Sequence, residues 1–157
     1  MATRNIYVRE GDKELWERAE RLAGDRDSLS SLLSDALREY VESREREEAA
    51  RQALQERMEE YEFQITAVDP QTNFVLPGRE YKIRFIGALL SEVGNTEVYL
   101  TKGGKLIMTE LCPGTGLFYR EYDDVDELIA DNEDELDENT IAEITEGLGK
   151  EYVRIIP

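Results

Sequence analysis

Residues 4–41 read RNIYVREGDKELWERAERLAGDRDSLSSLLSDALREYV, and this stretch decides what fold the N-terminus can adopt. It opens with a short alternation of period two, typical of a β-strand, and continues with helical periodicity. The two faces of the strand are Ile6 with Val8, and Asn5 with Tyr7 and Arg9. So short a strand at a chain terminus is marginal even when paired. We therefore expect it to pair with its copy from a second chain.

Two helices are expected after this strand. Asp12 is a good N-cap for the first, and Gly24 is a good C-cap. The second helix is expected to begin after Asp27 or Ser28, and its wide apolar face indicates burial against its own chain and a partner. That face consists of Leu29, Leu32, Leu33, Ala36, Leu37, Tyr40 and Val41. The predicted core of the dimer is Ile6, Val8, Leu29, Leu33, Leu37 and Tyr40.

The polar face of the paired strands has the size and the donors to enter a DNA major groove. Asn5, Tyr7 and Arg9 are the predicted base contacts, because Arg suits guanine and Asn suits adenine. Free amides at the start of the second helix form an anion site suited to a phosphate. The predicted phosphate contacts are Arg4, Ser28, Leu29 and Ser30. A dimerisation module without DNA binding is the alternative interpretation of the same stretch.

The strand-helix-helix pattern of residues 4–41 resembles the ribbon-helix-helix superfamily of DNA-binding proteins. The resemblance implies an intertwined dimer in which Asn5, Tyr7 and Arg9 read bases and residues 28–30 hold phosphate. Segments over most of the chain are also similar to the EXLDI family of bacterial proteins, a resemblance that implies a fold but no activity. These segments are RNIYVREGDKELWERAERLAG, YKIRFIGALLSEV, VYLTKGGKLIMTE and DDVDELI.

The charge of the chain favours a different kind of partner. There are 36 acidic and 19 basic residues, a net charge of −17, whereas DNA-binding proteins usually carry a basic footprint. The acid is concentrated in residues 118–157, which hold 14 acidic and 3 basic side chains. The primary prediction is a dimeric, sequence-specific transcriptional regulator. The alternative is an antitoxin-like interaction module whose acidic C-terminal region binds a basic protein.

Composition excludes several other classes of function. The chain has no histidine, which removes Ser-His-Asp and Cys-His catalysis and most zinc sites. We therefore expect no enzyme, no cofactor and no metal, and interpret the acidic run over residues 123–138 as a solvated surface. The single cysteine, Cys112, fits a reducing cytoplasm. The chain shows neither a secretory signal nor a membrane-length apolar stretch, so we expect a cytoplasmic location and no membrane partner.

The predicted fold class is α+β, in three parts. Residues 1–42 form the ribbon-helix-helix domain and residues 43–62 a helical connector, bent or frayed near 43–48. Residues 63–157 form an antiparallel sheet with two helices on one side, which binds a partner or a ligand. Its predicted strands are 63–67, 81–90, 97–101, 105–110, 117–122 and 152–156, with a loop over 70–78, a hairpin turn at 102–104, a short helix capped by Asp124 and a second helix over 138–148. Six aromatic residues either fill the core, which we favour, or line a small-molecule pocket: Tyr81, Phe85, Tyr99, Phe118, Tyr119 and Tyr122.

Overall fold

The protein is described by a computed structural model that covers residues 7–23 and 29–153. The described residues form a mixed α+β structure, and the chain divides into two compact units, Met1–Arg44 and Glu45–Pro157. After a 3-10 turn at Glu10–Asp12, the elements are α1 (Lys13–Ala23), α2 (Leu29–Glu56), β1 (Glu59–Val68), β2 (Val75–Val93), β3 (Thr96–Thr101), β4 (Leu106–Cys112), β5 (Gly116–Tyr122), α3 (Val125–Asp131) and α4 (Glu138–Gly147). None of the helices in these ranges combines the length and the apolar character needed to cross a membrane.

The described residues of the N-terminal unit form helices but include no buried core. Among residues 7–23 and 29–44, not one side chain is buried. The predicted strand over residues 4–9 is not formed at Tyr7–Arg9, which have no regular structure before the 3-10 turn. A strand of this kind needs a second strand as the partner for its backbone hydrogen bonds. The predicted partner is the same strand of a second chain. The predicted caps Gly24, Asp27 and Ser28 lie outside the described residues.

Helix α2 is one uninterrupted element of 28 residues, with no break near residues 43–48. Its extension to residue 62 is wrong, because the helix ends at Glu56 and β1 begins at Glu59. Two turn hydrogen bonds close the helix, from the Arg57 amide to the Leu54 carbonyl and from Met58 to Gln55. Strong helix formers in residues 57–62 are overridden by cross-strand pairing, since propensity is a weak prior beside tertiary contacts.

The five strands form an antiparallel meander in the order β1-β2-β3-β4-β5. Strand β2 is much longer than predicted and includes Pro77 and Gly78, which were expected in a loop. The register between β1 and β2 shifts here, from Thr66 opposite Glu80 to Val68 opposite Val75. Proline is tolerated at such an irregularity, where its missing amide leaves no ladder bond broken.

One face of the sheet packs against α3 and α4 to form the main core of the C-terminal unit. The buried residues of this core are Val98, Leu106, Met108, Tyr122, Val125, Leu128, Leu136 and Ile144. Helix α3 begins at its predicted cap, Asp124, and α4 begins at Glu138 as predicted, with Asp137 as its cap. The side chain of Asp124 accepts the Glu127 amide at 2.9 Å, and that of Asp137 accepts the Thr140 amide at 2.8 Å. These caps satisfy amides that a helix start otherwise leaves unpaired.

The predicted last strand over residues 152–156 is not formed at Tyr152 and Val153, which lack regular structure. Residues 154–157 lie outside the described part of the chain. Alternation in the YVRIIP sequence made a strand plausible, but a strand needs a neighbour for its hydrogen bonds. Gly149, which follows α4 with φ of +74°, instead brings the chain against α2. A Cβ atom at this glycine would lie 2.6 Å from the carbonyl oxygen of Arg46.

The opposite face of the sheet is turned inward, because the sheet curls until β1 approaches β5. A Cβ atom at Gly116 would lie 1.8 Å from Oγ1 of Thr66, so only a glycine hydrogen fits between the two strands. Gly116 also has a φ of +150°, a conformation that L side chains rarely adopt. The curl therefore depends on a glycine at this position.

Substitution Gly116→Ala should destabilise the C-terminal unit by more than Gly114→Ala in the same turn. Gly114 has a φ of +78°, but a Cβ atom there would meet nothing within 4 Å. Both variants incur backbone strain of about 1–3 kcal/mol, while Gly116→Ala adds overpacking of about 1–3 kcal/mol against Thr66. Urea denaturation followed by circular dichroism measures the difference. Equal losses of stability in the two variants would show that β1 and β5 do not meet here.

Candidate functional site

The predicted DNA-contacting residues that the structure describes are accessible. Tyr7 is 88% exposed, and Arg9, two residues later, is also exposed. Leu29 and Ser30 occupy the first turn of α2, the former half-buried and the latter exposed. The remaining predicted contacts, Arg4, Asn5 and Ser28, lie outside the described residues.

The predicted dimer core is open in the single chain. Leu37 and Tyr40 are 63% and 59% exposed, while Val8, Leu29 and Leu33 are half-buried. Helix α1 adds two more open leucines, Leu15 at 62% and Leu22 at 84%. Ile6 lies outside the described residues. The N-terminal unit thus presents large apolar side chains that nothing in the described chain covers.

The inward face of the curled sheet holds a cluster of four aromatic rings, which we call the aromatic cluster. Its members are Tyr61, Phe63, Phe85 and Tyr99. All six pairs of ring centroids lie 4.7–6.1 Å apart, and Tyr99 is tilted or edge-on to the other three. Such arrangements are favourable for ring quadrupoles and add to the burial of ring area. These rings pack together on the inward face of the curled sheet.

Sequence reasoning missed half of the aromatic cluster. Tyr61 falls within the predicted helical connector, although its alternation with Phe63 and Ile65 has the period of a strand. Of the six aromatics predicted for a core or a pocket, Phe85 and Tyr99 belong to the cluster and Tyr122 to the main core. Phe118 and Tyr119 are half-buried on β5, and Tyr81 is 47% exposed on β2.

Two phenols of the cluster donate hydrogen bonds to carboxylates. Tyr99 Oη lies 2.7 Å from Glu97 Oε2, and Tyr61 Oη lies 2.7 Å from Glu59 Oε1. The Thr109 hydroxyl also donates to Glu97, at 3.3 Å. Burial, followed by the bond to Glu59, raises the pKa of Tyr61 to about 12, and burial with the bond to Glu97 raises the pKa of Tyr99. Both phenols therefore stay protonated at neutral pH and act as donors rather than as bases.

A cleft of about 370 Å³ lies on the same inward face, and we call it the inner cleft. It is lined by Ile83, Arg84, Phe85, Thr101, Lys105, Ile107, Tyr119 and Glu121. Nζ of Lys105 lies 2.6 Å from Glu121 Oε1 and 3.4 Å from Asp123 Oδ1. The hydrogen bond and the charge of Glu121 raise the pKa of Lys105, so its ammonium is charged. Arg84 holds its guanidinium near Glu62 through Nε.

The acidic surface is formed by the carboxylates around α3 and the loop that leads to α4. They are Asp123, Asp124, Asp126, Glu127, Asp131, Glu133, Asp134, Glu135, Asp137 and Glu138, and all are exposed. Arg120 bridges two of them, at 3.4 Å from Asp131 and 2.8 Å from Glu135. Across residues 7–23 and 29–153, no group of three or more His, Cys, Asp or Glu side chains is placed to hold a metal ion.

Comparison of the chain with protein-family models, curated proteins and solved structures finds no match. The resemblance of residues 4–41 to the ribbon-helix-helix superfamily and that of the longer segments to the EXLDI family therefore stay predictions.

The raised tyrosine pKa values predict that the protein loses stability above about pH 10. In the unfolded chain phenols ionise near pH 10, whereas folding keeps Tyr61 protonated up to about 12. This contribution to stability is complete below the unfolded pKa and is lost as the pH rises through the folded one. Urea midpoints should therefore fall between about pH 8 and about pH 11, and less so in Tyr61→Phe and Tyr99→Phe. A midpoint that does not change with pH would contradict this prediction.

Proposed function

We propose that the protein is a dimeric, sequence-specific DNA-binding regulator that places a paired N-terminal ribbon in the major groove. The observation that carries the proposal is the open apolar face of the N-terminal unit. Leu22, Leu37 and Tyr40 are each more than half exposed, in a unit where no described residue is buried. A soluble unit does not keep this much apolar surface in water without a partner.

The partner that fits this surface is a second copy of the chain. A unit of about 40 residues rarely has enough core to be stable alone, and oligomerisation is a usual solution. Burying apolar area stabilises by about 25 cal/mol per Å², and the pattern of residues 4–41 supplies both a pairing strand and a wide helix face. The resemblance to ribbon-helix-helix proteins implies a dimer in which a twofold-related chain covers both the strand and the helix face.

The polar face of the ribbon supports DNA as the ligand. Asn5, Tyr7 and Arg9 alternate with Ile6 and Val8, so pairing of the apolar set leaves the polar set facing outward. A two-stranded ribbon fits the major groove, where base edges carry a distinguishable code. Arg4 precedes this set and Arg9 belongs to it, and a dimer doubles both. The proposal puts the protein in the cytoplasm with its DNA.

The net charge of −17 sets the conditions under which the protein would bind DNA. Non-specific affinity comes mainly from basic side chains that displace counterions from phosphates. An acidic chain has little of this term, and its long-range field repels the duplex. Binding would therefore rely on base contacts and would be strongest at low or moderate salt.

The second candidate function is an antitoxin-like interaction module that binds a basic protein. The observation that favours it is the acidic surface, whose ten carboxylates are all exposed. A surface with one sign of charge speeds association with an oppositely charged partner and suppresses similarly charged ones. In this alternative the N-terminal unit still forms the dimer, but its ribbon contacts no DNA.

Substitution Leu37→Ala should weaken dimer and fold together, because loss of a buried leucine side chain costs about 2–5 kcal/mol. Leu111→Ala is the matched control, since Leu111 is also exposed in the single chain, at 48%, but lies on β4. Sedimentation and urea denaturation at several protein concentrations measure association and stability. A well-folded monomer at micromolar concentration, or equal effects of the two substitutions, would refute the dimer.

Selection of bound sequences from random DNA should yield a preferred site for the wild-type protein. Arg9→Ala should lose sequence preference while remaining dimeric, since a bidentate arginine contact gives about 1–3 kcal/mol of discrimination. Tyr7→Ala should weaken binding without unfolding. Arg18→Ala, an exposed arginine on α1, is the control and should keep the preference. If both ribbon variants bind DNA like the wild type, the ribbon serves only dimerisation. The proposal of DNA binding is then rejected in favour of the second candidate function.

A further inference from the structure

A second pocket, on the helix-covered face of the sheet, has an aliphatic floor, and we call it the aliphatic pocket. It lies between the last turns of α2, the β3–β4 turn, the start of α3 and the residues after α4. Its surface is mainly apolar, and no aromatic side chain lines it. Three of the floor residues are at most 4% exposed, so the floor is part of the core. The floor consists of Leu54, Leu100, Leu106, Val125 and Leu148.

The size and the floor of the aliphatic pocket limit what it can hold. Its volume is about 260 Å³, just below the range of about 300–1,000 Å³ that is usual for ligand pockets. The pocket therefore suits a molecule smaller than a typical drug. Leucine and valine side chains favour an aliphatic group as the part that is buried, because apolar burial is the main gain in such a site.

The positive charge available at the rim of the pocket is that of Lys150. Gly149 brings the chain against α2, which puts Lys150 on the α2 side of the pocket. Lys150 is exposed, and the described residues give its ammonium no ion-pair partner. The neighbouring Glu151 lies 3.8 Å from Arg46 instead. The second cation of the rim, Arg51, lies 3.7 Å from Glu48.

The negative charge available at the rim is that of Asp124, on the wall formed by the start of α3. Its Oδ1 caps the helix, and no cation among the described residues pairs with its carboxylate. A carboxylate has further acceptor positions after one such bond. The other two acids of the rim are engaged, since Asp123 lies 3.4 Å from Lys105 and Glu47 has a partner in the chain. The rim thus offers one available charge of each sign, from different walls.

We propose that the aliphatic pocket binds a free aliphatic amino acid of about the size of leucine. The side chain of the ligand packs on the aliphatic floor. Its carboxylate pairs with Lys150 and its ammonium with Asp124, through charge-assisted hydrogen bonds. The site goes beyond the proposed DNA binding and does not depend on it, because every lining residue belongs to the C-terminal unit.

A zwitterion fits this rim better than a ligand with a single charge. A simple carboxylate would pair with Lys150 but would lie in the same pocket as the like charge of Asp124. A simple amine would pair with Asp124 and meet the like charge of Lys150. Juxtaposed like charges disfavour binding, so both charged groups of the ligand should contribute to affinity.

The test is calorimetric titration of the full chain, without DNA, with L-leucine. N-acetyl-L-leucine lacks the ammonium, L-leucinamide lacks the carboxylate, and glycine lacks the aliphatic side chain. Lys150→Met keeps the aliphatic stem and should weaken leucine binding about tenfold or more, through the loss of one charge-assisted bond. Lys102→Met, at an exposed lysine of the β3–β4 turn that does not line the pocket, is the matched control.

Asp124→Asn gives a second variant, in case Lys150→Met alters the circular dichroism spectrum. Asparagine is as good an N-cap as aspartate, so this variant removes the charge and keeps the cap of α3. It should also weaken leucine binding about tenfold or more. Asp126→Asn, at an exposed position of α3 outside the pocket, is its control and should bind like the wild type.

The expected result is saturable binding of L-leucine that none of the three analogues matches. No binding of L-leucine at millimolar concentration overturns the proposal. It is also overturned if any of the three analogues binds as well as L-leucine, or if Lys150→Met and Asp124→Asn bind it as tightly as their control variants.

Discussion

The close approach of β1 to β5 is the constraint on which the C-terminal unit depends. Gly116 sits against Thr66 with no space for a Cβ atom, and this contact keeps the meander curled. An open antiparallel sheet commonly covers one face and leaves the other in water. The curl instead gives this sheet two interiors. Helices α3 and α4 cover one face, while the aromatic cluster and the inner cleft occupy the other.

The two units differ in how far their apolar side chains are buried. The C-terminal unit buries Val98, Leu106 and Leu128 between sheet and helices, and Leu54, near the end of α2, is only 4% exposed. In the described part of the N-terminal unit, Leu15, Leu22 and Leu37 are more than half exposed, and no strand forms at Tyr7–Arg9. The same side chains that make its sequence pattern recognisable are those that a single chain cannot cover. In the proposed dimer, the second chain would cover these side chains.

Sequence reasoning recovered the elements whose signals are local. The hairpin around Lys102–Gly104, the cap at Asp124 and helix α4 all follow from turn and capping chemistry within a few residues.

Prediction from the sequence failed for segments whose structure depends on contacts between residues that are far apart in the chain. Residues 57–62 favour a helix locally but pair with β2, and Pro77 enters β2 because the register with β1 shifts there. For the same reason only two members of the aromatic cluster were predicted as core aromatics, since Tyr61 contacts Phe85 only across neighbouring strands. The ion pair between Lys105 and Glu121 could not be predicted from the sequence, because only the pairing of β4 with β5 brings these residues together.

The distribution of aromatic residues gives the two units separate optical signals. The only tryptophan of the chain, Trp16, is half-buried on α1 in the N-terminal unit. Six of the eight tyrosines belong to the C-terminal unit. Tryptophan emission therefore reports the environment of α1 alone, and near-ultraviolet tyrosine absorbance reports mainly the curled sheet. A melt followed at both wavelengths distinguishes one cooperative transition from two, without any label or engineered probe.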